Sequence, residues 1–381
     1  MGLKILVSAG ESSGDLYAAR LVEELRQRLP EAEFFGCAGP RMQAAGVRPV
    51  VDARSLAVVG LVEVLSHIPR IYGEYRKMVR AARLGRPALA ILTDSPDFHL
   101  RLARRLKRLG IPVVYLVAPQ VWAWRKGRLP RMRATIDRLL CLFPFEAAFF
   151  RQHGIAADYI GHPLTRLVKP NLSRDEFFAK HQLPRDRPLV AVLPGSRAGE
   201  IARHMPPLVE AVRLMGAKHP ASFLLGAPVG FSARAGESFF AERIRGSSIQ
   251  VIEGETWDLL AAADVALTAS GTVTVEAALL GTPMVTFYRV TPVSWMLGKL
   301  LVRVPHYSMV NLIAERRVVP ELMQNEMRGE RLAQEACRLL SDVQEAARMR
   351  QGLKDVAARL WRDQDPMSLA ASAVVETLRR K

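Results

Sequence analysis

Cysteine is scarce in these 381 residues: there are three, Cys37, Cys141 and Cys337, far apart and odd in number. That gives no disulfide framework and no metal-ligand spacing, so the thiols read as structural and the compartment as reducing. No stretch approaches the roughly 20 apolar residues a transmembrane helix needs. The start runs from Met1-Gly2 straight into a strand-like Leu3 to Val7, without the basic region and long apolar segment of a secretory signal, so secretion is not expected. Acidic residues are short as well, 37 against 54 Lys and Arg, and the net charge is +17. Such a surplus favours anionic partners, whether nucleic acid, nucleotides or an acidic membrane surface. Low-complexity tracts are absent, and 49% hydrophobic with 24% charged residues is the composition of a globular chain. At this length two α/β domains are expected rather than one core.

A clean GxGxxG is also missing. The strand Lys4 to Val7 runs into Ser8-Ala9-Gly10-Glu11-Ser12-Ser13-Gly14-Asp15 and the amphipathic Leu16 to Leu29, the opening of a Rossmann-like domain. No acidic residue closes the next strand, where Phe34-Phe35-Gly36-Cys37 leads into Ala38-Gly39-Pro40, so a dinucleotide site is not expected. Gly10 and Gly14 either serve the turn alone or line an acceptor site, with Ser13 and Asp15 as its polar groups. Ser55 to Arg83 sets Val58, Val59, Leu61, Val62, Val64 and Leu65 ahead of Arg70, Arg76, Lys77, Arg80 and Arg83. It reads either as a lipid-facing or acyl-binding stretch or as a core helix followed by a solvated basic one. Ala88 to Leu92 is a strand leading into Thr93-Asp94-Ser95-Pro96-Asp97-Phe98-His99. Ligands of open α/β sheets sit at the carboxyl ends of strands, so these acids and the histidine stand where chemistry happens. Asp97 is a candidate general base for an acceptor hydroxyl; alternatively Asp97 or Ser95 caps the following helix. After the strand Pro112 to Val117, Trp122 and Trp124 lie beside Arg125, either as a wall on which a sugar stacks or as a core or interface pair.

Thr165 to Arg187 is polar and contains proline, the composition of a linker. A second α/β series begins with the strand Leu189 to Leu193 and the turn Pro194-Gly195-Ser196-Arg197-Ala198-Gly199-Glu200. An arginine beside Gly-Ser at the amino end of a helix suits a diphosphate. Asp264 to Arg289 is the counterpart: a strand, the turn Ala269-Ser270-Gly271-Thr272, a helix over Val273 to Leu280 stopped by Gly281-Thr282-Pro283, and a further strand from Met284 to Tyr288. Ser270 or Thr272 is read as the helix cap, Gly271 as the point of close approach, and the first-turn amides as a phosphate seat. Glu276 lies a turn further in. Asn311, a polar residue in an apolar run, either contacts ligand or caps a turn. The expected architecture is two Rossmann-like domains facing across a cleft, residues 1–165 and 186–360. A C-terminal helix, 361–381, crosses back onto the first domain or onto a partner subunit of a homodimer.

In order from Ser8 to Gln324, the segments SAGESSGD, CAGPRM, LAVVGLVEVL, DSPDFH, APQVWAWR, CLFPFE, IGHPL, LPGSRAGE, ASGTVTVEAAL, MVTFYR, VNLIA and VPELMQ resemble the lipid-A-disaccharide synthases, glycosyltransferases of GT-B type and family 19. The resemblance covers most of the chain. Two positions depart from it: Ala118, where serine is expected, and His99, where asparagine is more frequent. The resemblance implies transfer of 2,3-diacylglucosamine from UDP to the 6-hydroxyl of 2,3-diacylglucosamine 1-phosphate. Inversion gives a β-1,6 linkage and UDP leaves. It makes Asp97 the base. It assigns Gly195, Ser196, Arg197, Glu200, Ser270, Gly271, Thr272, Arg289 and Asn311 to the nucleotide, Glu276 to the ribose, and Ser13, Asp15, Trp122 and Trp124 to the acceptor. No cofactor or metal is expected, since arginine and helix amides neutralise the leaving diphosphate and Asp94 and Asp97 are not spaced as a paired-aspartate motif. Peripheral contact with the cytoplasmic face of the inner membrane follows from the acylated substrates. The alternative is a UDP-N-acetylglucosamine epimerase sharing the Ser270 to Glu276 site. A nucleic-acid adaptor is not supported, because no zinc-finger, RRM or helix-turn-helix pattern occurs.

Overall fold

Leu89–Thr93, Leu189–Leu193 and Val265–Ala269 are apolar but for Thr93 and Thr268, and every residue of the three is buried. Strands covered on both faces belong in parallel sheets with helices above and below. The structure, a computed structural model, describes residues 2–55, 61–123, 125–232, 238–292, 295–296 and 304–380. It divides into two compact units, Met1–Pro163 with Leu360–Lys381, and Leu164–Leu300 with Val304–Arg359. Among the described residues no helix is long and apolar enough to cross a membrane.

In the first unit β1 (Lys4–Ala9), α1 (Ser12–Arg28), β2 (Glu33–Ala38), α2 (Pro40–Ala44), β3 (Arg48–Asp52), α3 (Leu61–Gly85), β4 (Leu89–Thr93), α4 (Pro96–Arg108), β5 (Val113–Leu116), α5 (Leu129–Thr135), β6 (Arg138–Cys141), α6 (Pro144–Gln152) and β7 (Ala157–Tyr159) build one sheet. Its order is β3-β2-β1-β4-β5-β6-β7 and all pairs are parallel. The chain runs outward from β1 to β3, then returns through α3 to lay β4 on the other side of β1, with Ser8 level with Leu92 and Ala9 with Thr93. Connections therefore diverge between β1 and β4, and this switch point opens a crevice at the carboxyl ends.

The second unit contains α7 (Leu164–Leu167), α8 (Arg174–Lys180), β8 (Leu189–Leu193), α9 (Ala198–Lys218), β9 (Ser222–Ala227), α10 (Ser238–Arg243), β10 (Ile249–Glu253), α11 (Thr256–Ala262), β11 (Val265–Ala269), α12 (Thr272–Leu280), β12 (Met284–Tyr288), α13 (Met309–Ala314), β13 (Glu321–Met323), α14 (Gly329–Ser341) and α15 (Val343–Leu360). Its parallel sheet has the order β10-β9-β8-β11-β12-β13, with the switch point between β8 and β11.

The expected linker is instead folded structure of the second unit. Ser173 accepts from the Glu176 amide while Glu176 reaches back to the Ser173 amide, a reciprocal box that starts α8. Asp258 on α11 accepts from the amides of Asn171 and Leu172 at 2.5 and 2.9 Å, and Arg174 pairs with Asp264. The polar composition of Thr165 to Arg187 is capping and ion-pair chemistry. The last helix, α16 (Pro366–Arg379), belongs to the first unit. Asp365 caps it, Arg28 of α1 donates to Ser368 and Ser372, and Arg138 pairs with Glu376 at 2.6 Å.

Candidate functional site

Both Gly-rich turns of the first unit are closed by its own carboxylates. Asp15 is buried, and its two oxygens accept from the amides of Arg41 and Met42 at 3.0 and 3.1 Å, at the start of α2. Asp94, at the end of β4, accepts from the amides of Gly10 and Glu11 at 2.9 and 3.1 Å. A Cβ on Gly14 would overlap the Asp94 carboxyl, and one on Gly39 would overlap that of Asp15. These glycines serve a close approach between protein groups. Asp15, expected at the acceptor, places its carboxylate on the amides that start α2, while the Asp94 carboxyl takes the Gly10 and Glu11 amides just ahead of α1. Ser13 stays half-buried in the first turn of α1.

The loops leaving β4 and β5 are strained. Among the described residues eight non-glycine residues have positive φ, and four of them are Asp94 (56°), Ser95 (37°), Val117 (67°) and Arg125 (58°). For a β-branched residue such as Val117 this region is a clear outlier, and such strain collects at functional sites. Asp97, in the first turn of α4, has a side chain 68% exposed, and its carboxylate pairs with Arg125 at 3.0 Å and with Arg128. The helix has no side-chain cap from Ser95. His99 is fully buried. Its Nδ1 lies 2.9 Å from the Asp94 carbonyl, which only accepts, so Nδ1 carries the proton and Nε2 accepts from the Ser8 hydroxyl at 2.7 Å. Burial holds this imidazole down at about 4, hence neutral. The Tyr115 hydroxyl donates to the same carbonyl. Burial first, then the neighbouring Glu11 carboxylate, pushes Asp94 up to about 8.

Trp122 is half-buried and donates its indole N–H to Glu146 at 3.0 Å, while Phe145 meets the ring edge-on at 5.0 Å. Glu146 is buried, also accepts from the Phe143 amide, and is pushed up to about 7 by that burial. Sequence reasoning missed Glu146; its only signal is the Pro-Phe-Glu at the start of α6, where a glutamate at the third position reaches back to the cap amide. Trp124 lies outside the described residues, as does the apolar run through Val58 and Val59. Burial raises the thiols of Cys37 and Cys141, in keeping with structural roles.

At the switch point of the second unit, β8 ends in the loop holding Gly195, Ser196 and Arg197, and β11 ends in Ser270 and Gly271. Gly195 takes a positive φ of 117°. Gly271 is the first flanking residue of α12, and neither Ser270 nor Thr272 caps that helix: Ser270 donates to the Tyr307 carbonyl at 3.1 Å. The capping expectation is corrected: the cap position is Gly271, which supplies no side chain to the first-turn amides. Among the described residues, chain neighbours aside, a Cβ on Gly271 would meet no atom within 4 Å, so this end of α12 opens onto free space there. Glu276 is half-buried in the next turn. Glu200 is buried and is held by Arg197 at 2.9 Å and the Tyr288 hydroxyl at 2.7 Å. It orients the arginine rather than presenting itself to a ligand.

Two other residues expected at the nucleotide have protein partners. Asn311 is fully buried, accepts from the amides of Val318 and Val319, and donates to the Val319 carbonyl and to Glu321; Ser308 is the cap of α13. Arg289 directs its guanidinium to the carbonyls of Gln324 and Met327. A histidine not anticipated, His204, joins the ends of β8 and β12: Nδ1 donates to the Pro194 carbonyl at 2.7 Å and Nε2 accepts from the Arg289 amide at 3.1 Å. Burial lowers its pKa, which fits this neutral tautomer.

Two all-parallel sheets, each with a switch-point crevice carrying polar groups, define the class as α/β proteins of GT-B type. Solved structures share the arrangement: UDP-GlcNAc 2-epimerase from Neisseria meningitidis bound to UDP-GlcNAc, with TM-score 0.67, 12% identity and full coverage of both chains, and the calicheamicin glycosyltransferase CalG4, with TM-score 0.60, 17% identity, and 100% and 99% coverage. At such identities the likeness concerns the fold alone, which transferases and epimerases have in common. The sequence separates them. A lipid-A-disaccharide synthase of Solibacter usitatus is 62% identical over 375 residues, 98% of this chain and 97% of the relative. The model of the lipid-A-disaccharide synthetase family matches residues 5–373, and the chain belongs to that family. It is a hexosyltransferase of lipid A biosynthesis.

Proposed function

We propose that the protein joins UDP-2,3-diacylglucosamine to 2,3-diacylglucosamine 1-phosphate, with inversion, giving the β-1,6 disaccharide 1-phosphate and UDP. The observation that carries the reading is the start of α12: first-turn amides without a side-chain cap, open space at Gly271, and Arg197 on the adjoining loop. Helix amides and an arginine stabilise the charge that develops on a departing diphosphate. Glu276, one turn on, has the spacing to accept from ribose hydroxyls. Asp97 takes the proton of the acceptor 6-hydroxyl as that oxygen attacks the anomeric carbon. The bond from that carbon to the β-phosphate oxygen breaks, and the electron pair leaves with UDP. Arg125 and Arg128 fix the carboxylate, and Trp122 offers a sugar-stacking face. Exposed Arg76, Arg80, Arg83, Arg104 and Arg108 on α3 and α4 suit the anionic surface on which acylated substrates reside, the cytoplasmic leaflet of the inner membrane.

A radiolabelled acceptor in anionic mixed micelles, with UDP-diacylglucosamine and EDTA, tests this reading. The parent protein should form disaccharide 1-phosphate. Asp97→Asn should lose about 10²–10⁴-fold in kcat, the usual range for removing a general base, and still bind UDP. A fully active Asp97→Asn enzyme removes Asp97 as base. Epimerisation of free UDP-N-acetylglucosamine without disaccharide formation would move the chain to the other reaction class of this fold.

A further inference from the structure

Four hydrogen bonds converge on one residue that lies outside the reaction just described. The Asp94 carbonyl accepts from His99 Nδ1 and from the Tyr115 hydroxyl, and its carboxyl group accepts from the amides of Gly10 and Glu11. Asp94 and Ser95 are consecutive left-handed residues, with φ of 56° and 37°, and Ser95 also precedes proline, which disfavours helical backbone on its own. A turn of that kind is strained and persists only where its surroundings hold it. Here the holding groups come from three strands: Ser8 on β1 orients His99, Asp94 terminates β4, and Tyr115 lies on β5. Pro96 and Asp97 follow immediately as the first residues of α4. The direction in which Asp97 leaves the sheet is therefore set by the Asp94-Ser95 turn.

We propose that Asp94, His99 and Tyr115 form a positioning frame for Asp97, fixing its carboxylate by holding a strained turn in place. The proposal rests on the reading of Asp97 as base. His99 has the tautomer this needs, because Nδ1 holds Asp94 while Nε2 is satisfied by Ser8. An asparagine can reproduce the bond that holds the turn, its amide nitrogen standing at the Nδ1 position and donating to the Asp94 carbonyl, while the Ser8 hydroxyl loses its partner. Leucine can reproduce neither bond. Tyr115→Phe keeps the ring and removes one donor to the same carbonyl.

The test is steady-state kinetics on His99→Leu, His99→Asn and Tyr115→Phe, each alone and combined with Asp97→Asn, with thermal melts alongside. His99→Leu and Tyr115→Phe should lower kcat by about 10-fold or more, since small misplacement of a catalytic group costs up to about 10²-fold, with KM for both substrates unchanged. His99→Asn should recover most of the rate. On the Asp97→Asn background the losses should disappear, because a frame has nothing to add once the base is gone. Folded His99→Leu and Tyr115→Phe enzymes with parental kcat overturn the frame. So does a folded asparagine variant as slow as the leucine one, or a loss that persists in full on the Asp97→Asn background. Tyr115→Phe decides alone if the leucine variant does not fold. An active Asp97→Asn enzyme instead marks failure of the base assignment, whatever the frame variants do.

Discussion

Glu146 shows what a single side chain can fix at a distance from the chemistry. Its two oxygens hold two donors, the Trp122 indole at 3.0 Å and the Phe143 amide at 3.2 Å. Glutamine has one accepting oxygen, so Glu146→Gln leaves one of them unsatisfied in a buried place, and about 1–3 kcal/mol is the usual cost. If the freed donor is Trp122, the stacking face loses its orientation. We expect KM for the acceptor to rise about 10-fold with KM for the donor unchanged, read from kinetics with each substrate varied in turn. An equal rise for both substrates would show that the bond only maintains the fold. That Asp97 and Arg197 stand just after apolar strands was legible in the sequence because the signal for each position is local. Asp15, Asn311 and Arg289 have the same local look, but their partners lie 26, 8 and 35 residues away. Nothing in the sequence says that those partners have already claimed them.

Among elements, the strands were the easiest to read. Runs such as Leu189–Leu193 admit no polar face, and their turn residues mark both ends. The helix-rich stretch after Thr165 misled, because capping residues and linker residues have the same composition, and only the Asp258 bonds to Asn171 and Leu172 show that the segment is packed. The same chemistry governs α16, where the Asp365 carboxylate accepts from the amides of Met367 and Ser368 at 2.8 and 3.1 Å, just ahead of Pro366 at the first helical position. Asp365→Ala should cost about 1 kcal/mol. The loss should appear in urea unfolding of the first unit and as faster limited proteolysis near residue 365. An unchanged midpoint would mean that Arg28 and Arg138 hold α16 without the cap.

The whole chain carries a net charge of +17, and several of its buried groups make stability depend on pH. His99 is held down at about 4 and His162 at about 3, both by burial, with His204 lowered as well. For a lowered histidine the contribution is complete above the unfolded value of 6.5 and is lost as pH falls toward the folded value, because the unfolded chain takes up protons first. Asp94, raised to about 8, and Glu146, raised to about 7, act in the opposite sense: each favours the folded state at low pH and loses that advantage as pH rises from the ordinary carboxylate range toward the folded value. The two sets oppose each other between about pH 4 and 6.5, so the parent curve alone separates nothing. A difference measurement does. Asparagine at position 99 keeps the bond to the Asp94 carbonyl and removes the titration, so the stability of the parent relative to His99→Asn should fall by about 2 kcal/mol between pH 7.5 and pH 5. Urea unfolding of both proteins at the two pH values measures it. A difference that stays flat would show that His99 charges in the folded protein as readily as in the unfolded one, and the neutral imidazole bridging Ser8 and Asp94 would then have to be abandoned.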